Sequence, residues 1–246
     1  MKVQSFRDLT LVHLSADDLL VVACDSCGGV GSKAHDQVQT SPHMVGYYTT
    51  YVALAELIAF GAEPVCIINT LSVEMDPTGK EIIAGIRQAI EPLGAPPLIT
   101  GSTEENFSAC QTGMGITVIG SVHLSSWQRP RSHPGDLVVV VGLPKVGEQV
   151  IADQGRTTLD LEKLLLLKGC PFIHEVLPVG SRGIAYELTQ LAQCSGLQYR
   201  MAEHLSIDVT KTAGPATCAL VTLRPVAYEQ LAMRMSIPVN PVGWLV

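Results

Sequence analysis

The chain has 246 residues, 47% hydrophobic and 16% charged, a balance that excludes a disordered polymer and allows one large domain or two of roughly 120 residues. Its formal net charge of −7 argues against non-specific nucleic-acid binding, although a few local cations and a chelated Mg²⁺ suffice for ATP. The first residues lack the apolar core of a signal peptide, and no apolar stretch is long enough to span a bilayer. With seven scattered cysteines at 24, 27, 66, 110, 170, 194 and 218 read as reduced thiols, a soluble cytoplasmic protein with no membrane or nucleic-acid partner is expected.

In chain order, Leu9–Leu14 and Leu19–Cys24 read as two short strands about a turn at Ser15–Asp18. The second runs into Asp25-Ser26-Cys27-Gly28-Gly29-Val30-Gly31-Ser32-Lys33-Ala34-His35-Asp36, the stretch around which the chain is organised. Glycines let backbone N–H groups approach a phosphate, Lys33 adds a point charge, and Asp25 with Asp36 can hold the Mg²⁺ that travels with a nucleotide. Neither a Walker loop nor a dinucleotide fingerprint is present. A turn whose glycines only permit positive φ accounts for the same residues. Cys24 and Cys27 have the spacing of a redox pair or half a zinc site, or are simply two packed thiols; there is no second C-x-x-C to complete a zinc site.

A helical pattern over Met44–Phe60 is ended by Gly61, and Glu56 inside it either lies on a solvent stripe or aims at a cation. A strand at Val65–Val73, a helix at Pro77–Leu93, a short strand at Leu98–Thr100, a polar loop at Gly101–Asn106 and a strand at Gly113–Gly120 follow. Acids after apolar runs at Asp25, Glu56 and Glu104 suggest one shared metal and phosphate site.

The Arg, Pro and Ser content of Ser125–Gly135 marks a linker, dividing the chain into residues 1–124 and 125–246. Beyond it come a strand at Asp136–Leu143 and helices at Val146–Gln154 and Leu159–Lys168. Pro178-Val179-Gly180-Ser181-Arg182-Gly183 precedes a helix at Ile184–Cys194, which makes it an anion site, a cap provided by Ser181, or both. A strand at Thr217–Leu223, a helix at Pro225–Met235 and an extended tail at Ile237–Val246 complete the chain.

The segment order resembles the superfamily of aminoimidazole ribonucleotide synthetase, to which thiamine monophosphate kinase and selenophosphate synthetase also belong. The likeness is carried by Val21-Val22-Ala23-Cys24-Asp25, by Ala53 to Pro64 with its Phe-Gly-Ala-Glu-Pro end, by Thr100 to Glu104, by Thr112 to Val122, and by Pro134 to Gly142. It implies an α+β, two-domain PurM-like fold: an N-terminal domain whose β-sheet pairs with that of a second subunit in a homodimer, and an α/β C-terminal domain. It implies ATP in a cleft between domains and Mg²⁺ held by acids that fall here on Asp25, Glu56 and, within one residue of register, Glu104. Phosphates would rest on Gly28, Gly29, Gly31 and Lys33, on Gly101, Ser102 and Thr103, and on Gly180 and Ser181. Lys33, Asp36 and Arg182 are the candidate catalytic groups, with Asp36 or His35 as base.

Two departures from the family's kinases argue against thiamine monophosphate kinase itself. An acid before the C-terminal helix is replaced by Arg182, and a later acidic segment reads Gly214-Pro215-Ala216-Thr217-Cys218-Ala219-Leu220. The glycine stretch together with Pro178–Ile184 resembles the branch associated with α-ribazole kinase, implying transfer of phosphate from ATP to the primary ribose hydroxyl of a small-molecule acceptor. A synthetase activating a carbonyl or amide oxygen, and a non-catalytic nucleotide-binding dimer, are the alternatives.

Overall fold

The computed structural model describes residues 2–125, 127 and 132–246. They fall into two compact units, Met1–Trp127 and Gln128–Val246. Of the expected linker, residues 126 and 128–131 lie outside the described ones.

The first unit is a six-stranded sheet with helices on one face. Its elements are β1 (Lys2–Phe6), β2 (Leu9–His13), β3 (Asp18–Gly28), two short paired strands β4 (Val30–Gly31) and β5 (Val38–Gln39), α1 (Pro42–Phe60), β6 (Glu63–Leu71), α2 (Lys80–Ile90), β7 (Leu98–Thr103) and β8 (Gly113–His123). The strand order is β1-β2-β3-β8-β6-β7, with β6 and β7 parallel and all other neighbours antiparallel. Side chains alternate along β3: Leu19, Val21 and Ala23 are buried, and α1 packs on β3 and β8. Ser41 accepts a hydrogen bond from the Met44 N–H at 3.3 Å, Pro42 opens the first turn, and Gly61, at φ 104°, closes the helix.

Helices α1 and α2 touch backbone to backbone. A Cβ on Gly46 would lie 2.0 Å from the Ile82 carbonyl oxygen, and one on Gly85 would lie 2.0 Å from that of His43. No other residue type fits at either position. The opposite sheet face is apolar and open within this unit: Val3 is 57% and Leu98 69% exposed, and Val12, Leu20, Val22, Ile68 and Ile119 are half-buried.

Two strands extend beyond their expected limits because their partners carry them further. The ladder of β3 with β8 continues from Cys24 to Gly28, pairing Asp25 with Ile116 and Gly28 with Gly113. Parallel pairing with β6 likewise draws Gly101, Ser102 and Thr103 into β7, where a loop was expected.

The second unit holds β9 (Leu137–Gly142), α3 (Glu148–Asp153), α4 (Leu161–Lys168), β10 (Ile173–Pro178), α5 (Ile184–Ser195), β11 (Tyr199–Met201), β12 (Cys218–Leu223), α6 (Tyr228–Arg234) and β13 (Val239–Leu245). Its antiparallel sheet has the order β10-β12-β9-β13-β11. Every residue of β9 and β12 is buried, so both strands are covered on both faces. On one face Ile184, Leu188 and Leu191 of α5 join Val138, Val140, Leu177 and Leu220 in one core. The polar content of β1 and the His174-Glu175 pair inside β10 hid those strands from sequence patterning.

Candidate active site

Strands β3, β6 and β7 run in one direction, so their carboxyl ends and the loops that follow them meet at one edge of the first sheet. In open sheets with parallel strands this edge is the usual place for a ligand. Asp25 and Cys27 share the helix-covered face with Ala23, because they follow it at intervals of two. Burial pushes the Asp25 carboxyl up to about 6, against the opposing effect of a backbone hydrogen bond at Ser26. Burial also raises the Cys27 thiol, while a hydrogen bond with Thr49 of α1 works the other way. Cys24 lies on the open face, its Sγ 3.3 Å from Thr117 Oγ1. The C-x-x-C pair is therefore split between two faces of an extended strand and forms neither a redox pair nor half a zinc site.

Across the sheet, Asp25 faces Ile116, and Ile116 faces Asn69. The buried Asn69 donates through Nδ2 to the Thr100 carbonyl at 2.9 Å. A Cβ at Gly101 would lie 2.2 Å from the Asn69 carbonyl oxygen, so this glycine is needed for strand packing.

The loop after β3 is fastened by Asp36. Its Oδ2 accepts from the Lys33 N–H at 2.8 Å and from Thr112 Oγ1 at 2.7 Å, and its Oδ1 accepts from the Thr112 N–H at 2.8 Å. Burial alone would raise its pKa, but the hydrogen bonds from Thr112 and Lys33 prevail and hold it below the usual range. With 7% exposure and both oxygens engaged, Asp36 has the role of a loop fastener; the expected roles of general base and Mg²⁺ ligand are poorly served by this geometry. Gly31, at φ 153°, lies against the same knot: a Cβ there would fall 2.3 Å from Thr112 Oγ1.

Lys33 Nζ reaches across to Glu74, just beyond β6, and donates to both carboxylate oxygens at 2.7 Å. Thr78 Oγ1 bonds the same carboxylate. Burial opposes ionisation of Glu74, yet the bonds from Lys33 and Thr78 hold its pKa at about 2. Glu74 has no sequence signal, since its partner lies 41 residues away.

The expected acids are not gathered into one metal set: among the described residues, no three His, Cys, Asp or Glu side chains form a group able to hold a metal ion. Glu104 Oε1 accepts from the backbone N–H groups of Asn106 at 2.7 Å and Phe107 at 3.3 Å. Its neighbour Glu105 accepts from the Met75 N–H and Thr103 Oγ1, tying the end of β7 to the loop after β6. Glu56 is half-buried and lies seven residues beyond Thr49, about 10 Å further along α1 and away from the loop edge.

In the second unit, Gly180 and Ser181 form a turn before α5, whose capping residue is Gly183 at φ 81° with no side-chain hydrogen bond. Ser181 therefore does not cap this helix. The Ala185 N–H is already bound by the Val209 carbonyl at 2.9 Å, and Glu187 Oε1 comes close to Gly180, so the helix start offers an anion fewer free donors than expected. Arg182 is exposed, its guanidinium 3.9 Å from the centre of the Tyr186 ring.

The sheet order and the loop edge of the first unit have a counterpart among known families. Residues 7–122 match AIR synthase related protein, N-terminal domain. No curated protein matches the sequence. Likeness of fold extends further. A thiamine-monophosphate kinase from Stenotrophomonas maltophilia is 20% identical with a TM-score of 0.64, over 97% of this chain and 86% of that one. PurL from T. maritima, complexed with ATP, is 15% identical with a TM-score of 0.62, over 96% of this chain and 42% of that one. AaThiL, from Aquifex aeolicus, complexed with AMPPCP and TMP, is 14% identical with a TM-score of 0.61, over 97% of this chain and 84% of that one. At these identities what is shared is the fold. Residues 7–122, a little under half of the chain, thus resemble an AIR synthase related N-terminal domain and are followed by a second unit of mixed helices and strands; no helix among the described residues is long and apolar enough to cross a membrane.

Proposed function

We propose that the protein is an ATP-dependent small-molecule kinase with an alcohol acceptor, and specifically an α-ribazole kinase. The observation that carries the reading is Lys33, set in a glycine-bearing loop and paired with Glu74 at the carboxyl edge of an AIR synthase related sheet, the edge toward which the half-buried Asp25 of β3 also lies. Support also comes from two neighbours of like fold, complexed with ATP and with AMPPCP. Phosphoryl transfer asks for positioning and charge neutralisation more than covalent chemistry. Lys33 and the Gly28 amide are the groups proposed to meet phosphate oxygens; the Gly29 amide, also expected there, already donates to the Thr112 carbonyl at 3.0 Å. Asp25 is the acid at this edge proposed to help hold the Mg²⁺ that accompanies ATP, which would supply charge neutralisation when bound; Glu56 and Glu104, also expected as ligands, are not gathered with it. Arg182 is the group proposed to meet the transferred phosphoryl or the acceptor.

The open apolar face of the first sheet supports a homodimer formed sheet to sheet. Incubation with Mg-ATP, with and without α-ribazole, followed by ³¹P NMR, tests the assignment. ADP together with a new phosphomonoester is the expected result. Inorganic phosphate without an ester would move the reading to a synthetase, and absence of turnover with α-ribazole would remove this acceptor.

A further inference from the structure

A second polar cluster lies wholly in the second unit and takes no part in the proposed transfer. A cleft of about 400 Å³ is lined by His133, Pro134, Gly135, Asp136, His174 and Arg224. Three separate pieces of chain meet there: the entry to β9, the start of β10 and the residue that follows β12.

Asp136 is the fixed point. It is 2% exposed, and its Oδ2 accepts from the His133 N–H and from His174 Nδ1, each at 2.7 Å. His174 occupies a β-bulge: Ile173 pairs with Leu223 and Glu175 with Thr222, leaving His174 with no opposite residue. A bulge re-aims its side chain, and here it gives the imidazole to Asp136 while Glu175 is bonded by Ser132 Oγ at 2.6 Å. The His133 ring meets the His174 ring edge to face, with centroids 4.9 Å apart.

Because a carboxylate only accepts, Nδ1 of His174 carries the proton of that bond, and Nε2 is left for a further partner. Arg224 is exposed and its guanidinium engages no described residue. The cleft therefore sets one permanent cation and two imidazoles around a carboxylate whose Oδ2 is already engaged by two N–H donors. Such a set accepts an oxyanion, with Arg224 as a forked donor.

We propose that this cleft binds the phosphate-monoester or carboxylate group of a small soluble metabolite, independently of the nucleotide site. The volume exceeds that of the anion alone and leaves room for the body of the molecule.

The test follows the histidine Cε1–H signals by NMR in the full chain, with His133 and His174 assigned through His133→Gln and His174→Gln. Inorganic phosphate, acetate and, at matched ionic strength, chloride are the probes. Saturable movement of both signals with phosphate alone indicates a phosphate monoester; movement with phosphate and acetate extends the class to carboxylates. Chloride should leave them unmoved. Arg224→Gln, an exposed change whose fold is checked by melting, should weaken the response at least tenfold, while Lys33→Ala should leave it intact. Signals that stay still up to about 10 mM phosphate or acetate, or that respond equally in Arg224→Gln, would overturn the proposal.

Discussion

Lys33 Nζ lies 2.7 Å from each carboxylate oxygen of Glu74, joining the loop after β3 to the loop after β6 across the edge where a ligand is expected. The pair fixes the lysine where its charge is useful, and it also competes with any phosphate for that charge. Glu74→Gln should leave Lys33 freer to bind phosphate but less well placed. The expected outcome is a change in KM for ATP of at least threefold with kcat altered less, read from initial rates; unchanged KM would separate the pair from nucleotide binding.

The same pair predicts sensitivity to acid. Glu74 is ordinarily near 4.5 and is held at about 2, and Asp153, ordinarily near 3.8, is held at about 2 by bonds from Thr157 and Lys145 that outweigh burial. Both folded-state values are depressed, so the stability they contribute is present above the unfolded values and is lost as pH falls from about 4.5 towards 2. Each contributes at most about 2–3 kcal/mol, less after solvent screening. Urea midpoints measured at pH 5 and pH 3 should fall more steeply for the unaltered chain than for Glu74→Gln or Asp153→Asn.

Asp25 has the opposite sign. Its folded-state pKa, about 6, lies above the ordinary 3.8, so the folded chain binds the extra proton and loses stability as pH rises between those values. In metal-free protein at pH 7.5, Asp25→Asn should raise stability, by an amount on the order of 1–3 kcal/mol, and the gain should vanish near pH 4. It should also abolish Mg-ATP turnover. A variant that is active, or less stable at pH 7.5, would remove Asp25 from the role assigned to it.

Two glycines separate packing from ligand approach. A Cβ on Gly28 meets nothing within 4 Å, whereas one on Gly101 strikes Asn69. Gly101→Ala should cost about 1–3 kcal/mol through forced backbone movement. Gly28→Ala should change stability by less than about 1 kcal/mol, yet raise KM for ATP if the amides at this turn approach phosphate. Thermal melting alongside ATP titration distinguishes the two.

Arg182 stacks on Tyr186 at the surface, an interaction of about 0.5–1 kcal/mol. Arg182→Ala should therefore melt within a few degrees of the parent. A loss of more than tenfold in kcat/KM would place the guanidinium on the transferred group or the acceptor, and unchanged kinetics would leave it with the stacking role alone.

Local patterns made much of the fold legible. The apolar run before Asp25, the long helix stopped by Gly61 and the continuous valines of β9 each announce themselves within a few residues. The ends of β3 and β7 did not, because pairing with β8 and β6 decides where those strands stop, and glycines in such ladders look like loops when seen alone. Within the site, Lys33 stood out for its glycine neighbours, while the hydrogen bonds that immobilise Asp36 come from Thr112, 76 residues away. Glu74 and the Asp136–His174 pair were hidden for the same reason: each is defined by a contact across the fold.

The placement of Cys24 and Cys27 on opposite faces of β3 gives the chain an internal clock for unfolding. Three residues of extended strand hold their Cα atoms about 10 Å apart, beyond the reach of a disulfide. An oxidant can close that bridge only after β3 has left its ladder, so the appearance of a 24–27 cross-link under mild oxidation times the opening of the sheet at the edge that carries Asp25.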